Sequence, residues 1–302
     1  MVAARSPRVS IGVPVYNGER YVAETLDSLL AQSFGDFELI ICDNASADRT
    51  QEICQHYTAR DSRIRYVRNP NNLGLAANYR LAFELSSGEY FRWNPSDDLC
   101  APQLLTRCVE VLDRNPSVVL AYPKTNLIDE HGKLIAHYED RLHLDSDRPS
   151  QRFVQLDQNL RLCNALYGLI RAETLRRTAL LGSFIGGDIT LLAELILYGK
   201  FQEVSEFLFF RRLHPQTSSS MRREDQLLTF YDPKKKFASP LTTWRHYHAY
   251  FRGVTRAPLP LAEKARFFAR LLRMATWSRC ELLGELRVAI AQKLQGRHCH
   301  WG

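Results

Sequence analysis

The sequence lacks the long apolar segments of membrane-spanning and exported proteins. No run of about 18 apolar residues occurs within its 302 residues. The first ten residues, MVAARSPRVS, also lack the apolar core of a signal peptide. We therefore expect a protein on the cytoplasmic side of the membrane.

Paired cysteine spacing is absent from the sequence. The seven cysteines form no CxxC pair and no other metal-ligand pattern, which argues against a zinc site. An odd number of cysteines suits reduced thiols in a cytosolic compartment better than a disulfide framework.

The glycine-rich phosphate loop of dinucleotide-binding proteins is missing as well. After the first predicted strand the chain reads GVPVYNG, which puts Pro14 where that loop needs glycine. A dinucleotide-dependent oxidoreductase therefore remains only a minor alternative. Nucleic-acid binding is also disfavoured, because no known reading motif accompanies the positive charge.

Positive charge is concentrated near the C-terminus. The net charge is +7, and the segment from Leu241 onward holds eleven Lys or Arg against three Glu. Aromatic and aliphatic residues alternate with these cations, which predicts amphipathic helices. Two interpretations stay open: solvated helix faces, or contact with an anionic membrane surface such as the inner face of the cell membrane.

Strand-like and helix-like segments alternate from the N-terminus. The β-branched run of residues 8–15 is followed by helical spacing from Glu19 and by a second apolar run, FELIIC. Ser46 is a candidate N-cap for the next helix. This rhythm continues to about Tyr122 and predicts a mostly parallel sheet flanked by helices.

The second half of the sequence is less regular. His131 and Gly132 predict a hairpin turn, and Phe201–Val204 and Phe207–Arg212 are expected to form two strands. Residues 214–237 are polar and contain SSS and KKK, which predicts a lid-like loop. We therefore expect a catalytic domain over residues 1–237 and a basic helical extension over 238–302.

Acidic residues stand where predicted strands end or helices begin, namely at Asp43, Asp97, Asp98 and Asp188. The carboxyl ends of parallel strands meet at one sheet edge, so these distant residues can share a site. Carboxylate oxygens are ligands that suit Mg²⁺ or Mn²⁺. Each position also has a structural alternative, as a turn residue or a helix cap.

Five segments together resemble family 2 glycosyltransferases. They are PVYNG (14–18), ICDNAS (41–46), NPNNLGLAAN (69–78), NPSDDLCAP (94–102) and GGDITLLAELILYGKFQEV (186–204). The resemblance covers roughly residues 8–214. It implies a GT-A-type α/β fold with a C-terminal helical extension, and an inverting enzyme that uses nucleotide-sugar donors.

The resemblance also implies roles for residues that bind the nucleotide-sugar. Asp43 matches the carboxylate that binds the base, while Asn72 and Asn78 match a loop near the nucleotide. The segment that closes around the base and ribose is matched by Pro14, Tyr16 and Glu19. The arginines expected near the diphosphate are Arg211 and Arg212. The implied carrier is of UDP or dTDP type, and the implied acceptor is a glycan or a lipid-linked molecule.

The metal and the base are implied in the same way. Asp97, with Asp98 beside it, matches the metal-binding DXD region, although Pro95 occupies the position of the first Asp. His214 resembles a metal-side histidine of some relatives. Asp188 matches the general base, with Gly187 where the family often has Glu. These departures leave open a nucleotide-sugar-binding module without turnover.

Overall fold

Strands and helices alternate in the first third of the chain, as the hydrophobic pattern predicts. The computed structural model describes residues 6–215, 217 and 241–294. The strands are β1 (Val9–Val15), β2 (Phe37–Asp43), β3 (Ile64–Arg68), β4 (Tyr90–Trp93), β5 (Leu99–Cys100), β6 (Val118–Ile128), β7 (Leu134–Tyr138), β8 (Leu169–Arg171) and β9 (Lys200–Arg212). The helices are α1 (Val22–Leu30), α2 (Thr50–Arg60), α3 (Leu75–Glu84), α4 (Leu104–Arg114), α5 (Pro149–Asn159), α6 (Ala172–Arg176), α7 (Gly187–Leu195), α8 (Thr242–Arg256), α9 (Leu261–Trp277) and α10 (Arg279–Leu294).

The nine strands form one sheet in the order β3-β2-β1-β4-β8-β6-β9-β5, with β7 paired to β6. Strands β1 to β4 are parallel, and β6 and β9 are parallel to each other. Because β8 is antiparallel to both β4 and β6, all six of these strands point the same way. Their carboxyl ends therefore meet at one edge of the sheet.

Side chains alternate between the two faces of the sheet and build a core on each face. Val9, Ile11 and Val13 pack with α1 and α4 on one face. Phe91 and Trp93 pack on the other face with α3, α7 and the C-terminal helices. The sheet is thus buried on both sides, which leaves its carboxyl edge as the place for polar side chains.

Two local predictions were wrong. Residues 200–212 form one continuous strand, β9. Its pairing with β6 shifts register near Pro123 and Lys124, which accommodates the irregular middle of the segment. Ser46 is not a helix cap, since α2 begins at Thr50 and the Ser46 hydroxyl accepts a hydrogen bond from the Asn17 N–H. The predicted hairpin is confirmed by the antiparallel pairing of β6 and β7.

Helices α8 to α10 pack against the same face as α7. Val254, Phe267 and Leu271 are buried in the core on that side, where the Phe267 ring lies 5.3 Å from that of Phe153. None of the helices in the described ranges has the length and apolar content needed to cross a membrane. Most of the predicted lid (all but 214, 215 and 217) lies outside the described residues.

Candidate active site

The carboxylate of Asp43, the last residue of β2, is fully enclosed by protein groups. Its Oδ2 accepts hydrogen bonds from the Tyr66 hydroxyl and from the Arg68 guanidinium, each at 2.6 Å, and its Oδ1 accepts the Ser46 N–H at 2.8 Å. Burial and the neighbouring carboxylate raise the pKa of Tyr66. The Asp43 side chain therefore anchors β3 and the loop after β2.

Tyr66 and Arg68 were not identified from the sequence. Both lie on β3, and Arg68 pairs with Asp43 in the parallel register between β2 and β3. The sequence signal that could have identified Arg68 is its place as a basic residue at the end of β3, the strand that follows Asp43 in the chain.

The loop after β1 is tied to the loop after β2. Pro14 lies buried in β1 opposite Cys42, and Tyr16 beyond it is 51% exposed at the sheet edge. The Glu19 carboxylate accepts the Arg49 N–H at 3.0 Å, and the Glu19 N–H donates to Asp48 at 3.0 Å. These contacts leave the Tyr16 ring accessible above a fixed backbone.

Asn72 and Asn78 belong to an amide network behind this loop. The Asn44 amide donates to Oδ1 of Asn72 at 2.7 Å. The Asn78 side chain, 3% exposed, donates to the Cys42 carbonyl at 2.8 Å and accepts from Asn69 at 3.0 Å. Both residues therefore hold the segment after β3 against the end of β2.

A carboxylate and an imidazole meet at the centre of the edge. The His214 Nε2 lies 2.9 Å from Oδ2 of Asp97. The neighbouring Asp98 is 3% exposed and accepts the Arg212 N–H at 2.8 Å. Burial and the charge of Asp97 raise the pKa of Asp98 well above its usual range.

An oxygen of Asp97 and a nitrogen of His214 lie close enough together to bind one divalent cation. Their 2.9 Å separation is that of a hydrogen bond, so a cation could bind both atoms only after the proton between them is lost. Within the described part of the chain, no group of three or more His, Cys, Asp or Glu is placed to hold a metal ion. Such a cation would thus take its other ligands from phosphate and water, as Mg²⁺ commonly does.

Arg211 lies on the same side of β9 as the buried acidic residues. Its guanidinium donates to the Leu162 carbonyl at 2.9 Å and to Oδ1 of Asn164 at 2.6 Å. Its positive charge lowers the pKa of Asp98 against the larger effect of burial. Arg211 therefore adds positive charge beside the Asp97–Asp98 pair.

Arg212 is directed into the protein. Its guanidinium, 1% exposed, donates to the main-chain carbonyls of Asp97 and Glu130 and to the Glu24 carboxylate. Successive side chains of a strand point to opposite faces, which explains why the two arginines differ. Arg212 thus fixes the backbone that presents Asp97.

Asp188 stands in the first turn of α7 and is partly exposed. Burial raises the pKa of Tyr167, and the charges of Asp98 and Asp188 raise it further. Burial also raises the pKa of Cys163, and the charge of Asp188 adds to that shift. The charges of Asp98 and Asp188 therefore both act on the buried Tyr167 phenol.

Asp140 and Asn164 were missed by the sequence analysis. Asp140 is 2% exposed and accepts the Asn164 N–H at 3.1 Å. Burial raises the pKa of Asp140 to about 7, while Arg211 opposes that shift. Neither residue stands in a recognisable motif, and their position becomes apparent only when β7 is placed beside β6.

The chain is similar to proteins of one family over more than half its length. The family model described as glycosyl transferase family 2 matches residues 10–177. The chain therefore belongs to this family. Asp188, Arg211 and His214 lie beyond the matched range, so their placement depends on the geometry described above.

Relatives with similar sequences match over part of their length. Glycosyltransferase RT0329 of Rickettsia typhi is 30% identical over 208 residues, 68% of this chain and 61% of that protein. Chondroitin synthase of Escherichia coli is 32% identical over 133 residues, 44% of this chain and 19% of the synthase. The chain thus spans less than two thirds of these relatives.

Solved structures share the fold at low sequence identity. S. aureus TarS 1-349 has a TM-score of 0.66 and 18% identity, over 96% of this chain and 83% of that one. The mannosyltransferase PcManGT of Pyrobaculum calidifontis, in complex with GDP-Man and Mn²⁺, has a TM-score of 0.54 and 18% identity, over 98% and 89%. The fold is the mixed α/β architecture of GT-A glycosyltransferases followed by C-terminal helices, as the sequence analysis predicts.

Proposed function

We propose that this glycosyltransferase moves a sugar from a nucleotide-diphosphate donor to an acceptor hydroxyl with inversion at the anomeric carbon. The observation that carries the proposal is the contact between Asp97 and His214 beyond the carboxyl ends of the parallel strands β4 and β9, to which the proposal adds Asp188 at the start of α7. A site at this edge would bring a cation and a base to the same substrate. A structure of TarS 1-349 with UDP-GlcNAc shares the fold, which supports a donor of this class.

The donor is proposed to lie along the edge from β2 to β9. Its base and ribose rest near Asp43 and the exposed ring of Tyr16, on the backbone fixed by Glu19, Asn72 and Asn78. Pro14 lies within β1 beneath them. A UDP or dTDP carrier fits this proposal.

The diphosphate then lies beside Asp97, His214 and Arg211. Mg²⁺ or Mn²⁺ held by Asp97 and His214, with Asp98 behind them, would neutralise the charge of the leaving diphosphate. Arg211 adds a second positive charge, and Arg212 braces the loop from inside.

Asp188 is proposed to act as the general base. The acceptor oxygen forms a bond to the anomeric carbon while the bond to the diphosphate oxygen breaks on the opposite face. The hydroxyl proton passes to the Asp188 carboxylate, and the nucleoside diphosphate leaves with the bonding electron pair. A base of this type accelerates such a step by about 10²- to 10⁴-fold.

The catalytic domain is proposed to span residues 1–237 and the extension residues 238–302. A role in making a polysaccharide, glycolipid or other glycoconjugate on the cytoplasmic side fits this family. The extension carries exposed apolar residues beside exposed cations on α9 and α10, among them Leu272, Trp277, Ile290, Arg273 and Arg287. This combination supports peripheral contact with an anionic membrane surface, where a lipid-linked acceptor would be found.

The test compares donor binding with turnover. Thermal shifts with UDP-, dTDP- and GDP-sugars, with and without Mn²⁺, identify the donor, because a bound ligand raises apparent stability. Asp188→Asn should keep this binding and lose about 10²- to 10⁴-fold in the rate of nucleoside-diphosphate release. Asp145→Asn, at an exposed position, is the matched control.

Other outcomes separate the alternatives. Binding of a nucleotide-sugar with no turnover by the wild-type protein would assign a binding module. A shift with NAD or NADP and none with any nucleotide-sugar would overturn the proposal in favour of an oxidoreductase.

A further inference from the structure

The turn that leads into Asp188 contains two consecutive glycines, Gly186 and Gly187, which have no side chains to hold it in place. Gly186 adopts a φ of +84°, a region that residues with a side chain rarely occupy. The Gly187 N–H donates to the Phe184 carbonyl at 3.0 Å. Two consecutive glycines make such a turn easy to form but also easy to deform.

A histidine of the C-terminal extension closes over this turn. The His246 Nε2 on α8 donates to the Ile185 carbonyl at 2.8 Å. A Cβ added at Gly186 would lie 2.3 Å from that nitrogen, so the imidazole occupies the space left by the missing side chain. The ring also lies 5.8 Å from that of Phe184. His246 thus contacts three successive residues just before α7.

A second contact joins the far end of the same two helices. The Arg256 guanidinium pairs with the Glu194 carboxylate at 2.8 Å, and Glu194 is 7% exposed. Glu194 also accepts the Ala179 N–H at 2.8 Å. Contacts at His246 and Arg256 therefore hold α8 alongside the whole of α7.

Another residue of α8 is buried beside α7. The Tyr250 ring packs edge-on against Phe153 at 5.4 Å. Burial raises the pKa of Tyr250, and nearby charges, Asp157 first and Asp188 among the smaller ones, add to that shift. Helix α8 is thus packed into the core on the face of the sheet that also holds α7.

We infer that His246 is a positioning residue that fixes the Ile185–Gly187 turn and thereby aims Asp188 at the acceptor hydroxyl. This inference rests on the proposed role of Asp188. A displacement of about 1 Å in a reacting group can reduce a rate by about 10²-fold. The extension is then part of the catalytic unit and not a separable appendage.

The experiment uses full-length protein and variants that differ in the reach of the donor group. His246→Gln places an amide N–H near the position of Nε2, whereas His246→Asn places it about one bond length too short. His246→Leu removes the donor and keeps the bulk. The exposed His248 on the same helix provides the control His248→Leu.

We expect His246→Leu and His246→Asn to lower kcat by roughly 10- to 100-fold. The KM for the donor should stay unchanged, because the contacts of His246 are with residues 184–186 and Tyr250, none of which is proposed to bind the donor. His246→Gln should restore most of kcat, and His248→Leu should behave as wild type. If the Gln and Asn variants unfold at the same temperature, the difference in their kcat reflects the positioning of Asp188 and not a loss of folded protein.

Equal kcat for the Gln and Asn variants would overturn the inference, as would a wild-type kcat for His246→Leu. Asp188→Asn, assayed in parallel, keeps the two proposals apart. If Asp188→Asn is inactive while His246→Leu is fully active, only the positioning role fails. If Asp188→Asn retains full activity, the proposed base itself is wrong.

Discussion

The His214 Nε2 and the Asp97 Oδ2 lie 2.9 Å apart, although 117 positions separate the two residues in the chain. The pair joins the segment after β9 to the loop after β4. The Tyr21 ring lies 5.0 Å from the imidazole and covers it, which leaves the His214 side chain 8% exposed. The two atoms are within hydrogen-bonding distance, and the proposed cation would bind both in place of that hydrogen bond.

Removing the imidazole should therefore weaken the response to metal. His214→Gln is expected to raise the Mn²⁺ concentration that gives half-maximal activity by about 10-fold or more. Initial rates across a Mn²⁺ series measure this. His131→Gln, at an exposed position on the β6–β7 turn, is the control. Identical Mn²⁺ curves for His214→Gln and wild type would show that His214 does not bind the cation.

Arg212 should contribute to folding and not to donor binding. Arg212→Met leaves the carbonyls of Asp97 and Glu130 without their donors in a buried place, at a cost of about 1–3 kcal/mol. Glu24 is 60% exposed and can be hydrated, so its loss of a partner adds little. Urea unfolding measures the change in the free energy of unfolding. Arg49→Met, at a position 71% exposed, should change that free energy by less than about 0.5 kcal/mol.

The order of elements could be predicted from the sequence because it depends on local periodicity. Asp43 and Asp188 could be located as candidates because they stand at the end of a strand and in the first turn of a helix, and Asp97 because it lies in the turn between β4 and β5. Their shared edge followed from the rule for parallel strands. The family resemblance then supplied the chemical roles.

The partners of these residues could not be predicted, because they depend on strand order and on distant packing. Tyr66 and Arg68 reach Asp43 only through the parallel pairing of β3 with β2. His246 reaches Ile185 across 61 positions of sequence, from a helix of the C-terminal extension. The continuous β9 was missed because a bulge interrupts the alternation that strand prediction uses.

The cations of the extension should control membrane binding if that surface faces lipid. Arg287→Glu combined with Lys293→Glu changes two exposed residues of α10. Each basic residue near an anionic surface contributes about 1 kcal/mol, so binding should fall by at least roughly 30-fold. Co-sedimentation with phosphatidylcholine vesicles, with and without phosphatidylglycerol, measures it. Arg65→Glu combined with Arg114→Glu alters the same charge elsewhere, and an equal loss with this control would contradict a specific surface.

Asp140 should make the protein less stable as the pH rises toward neutrality. Its Oδ2 has no hydrogen-bond partner among the described residues, and burial raises its pKa to about 7. In the unfolded chain its pKa is about 3.9. Between about pH 4 and pH 7 the Asp140 carboxyl therefore binds more protons in the folded state than in the unfolded state, so its contribution to stability is fully present below this range and is lost as the pH rises through it.

Asp140→Asn keeps an acceptor for the Asn164 N–H and removes the charge. The free energy of unfolding of the wild type should fall, relative to the variant, by up to about 1.4 kcal/mol per pH unit in this range and level off above about pH 7. Arg211 and Glu203 lie near the carboxylate in both proteins, as do Tyr122 and Cys163, so the difference between the two curves isolates Asp140. Asp145→Asn, at an exposed position, should follow the wild-type curve. Parallel curves for Asp140→Asn and wild type would mean that Asp140 titrates in the folded protein as it does in the unfolded chain.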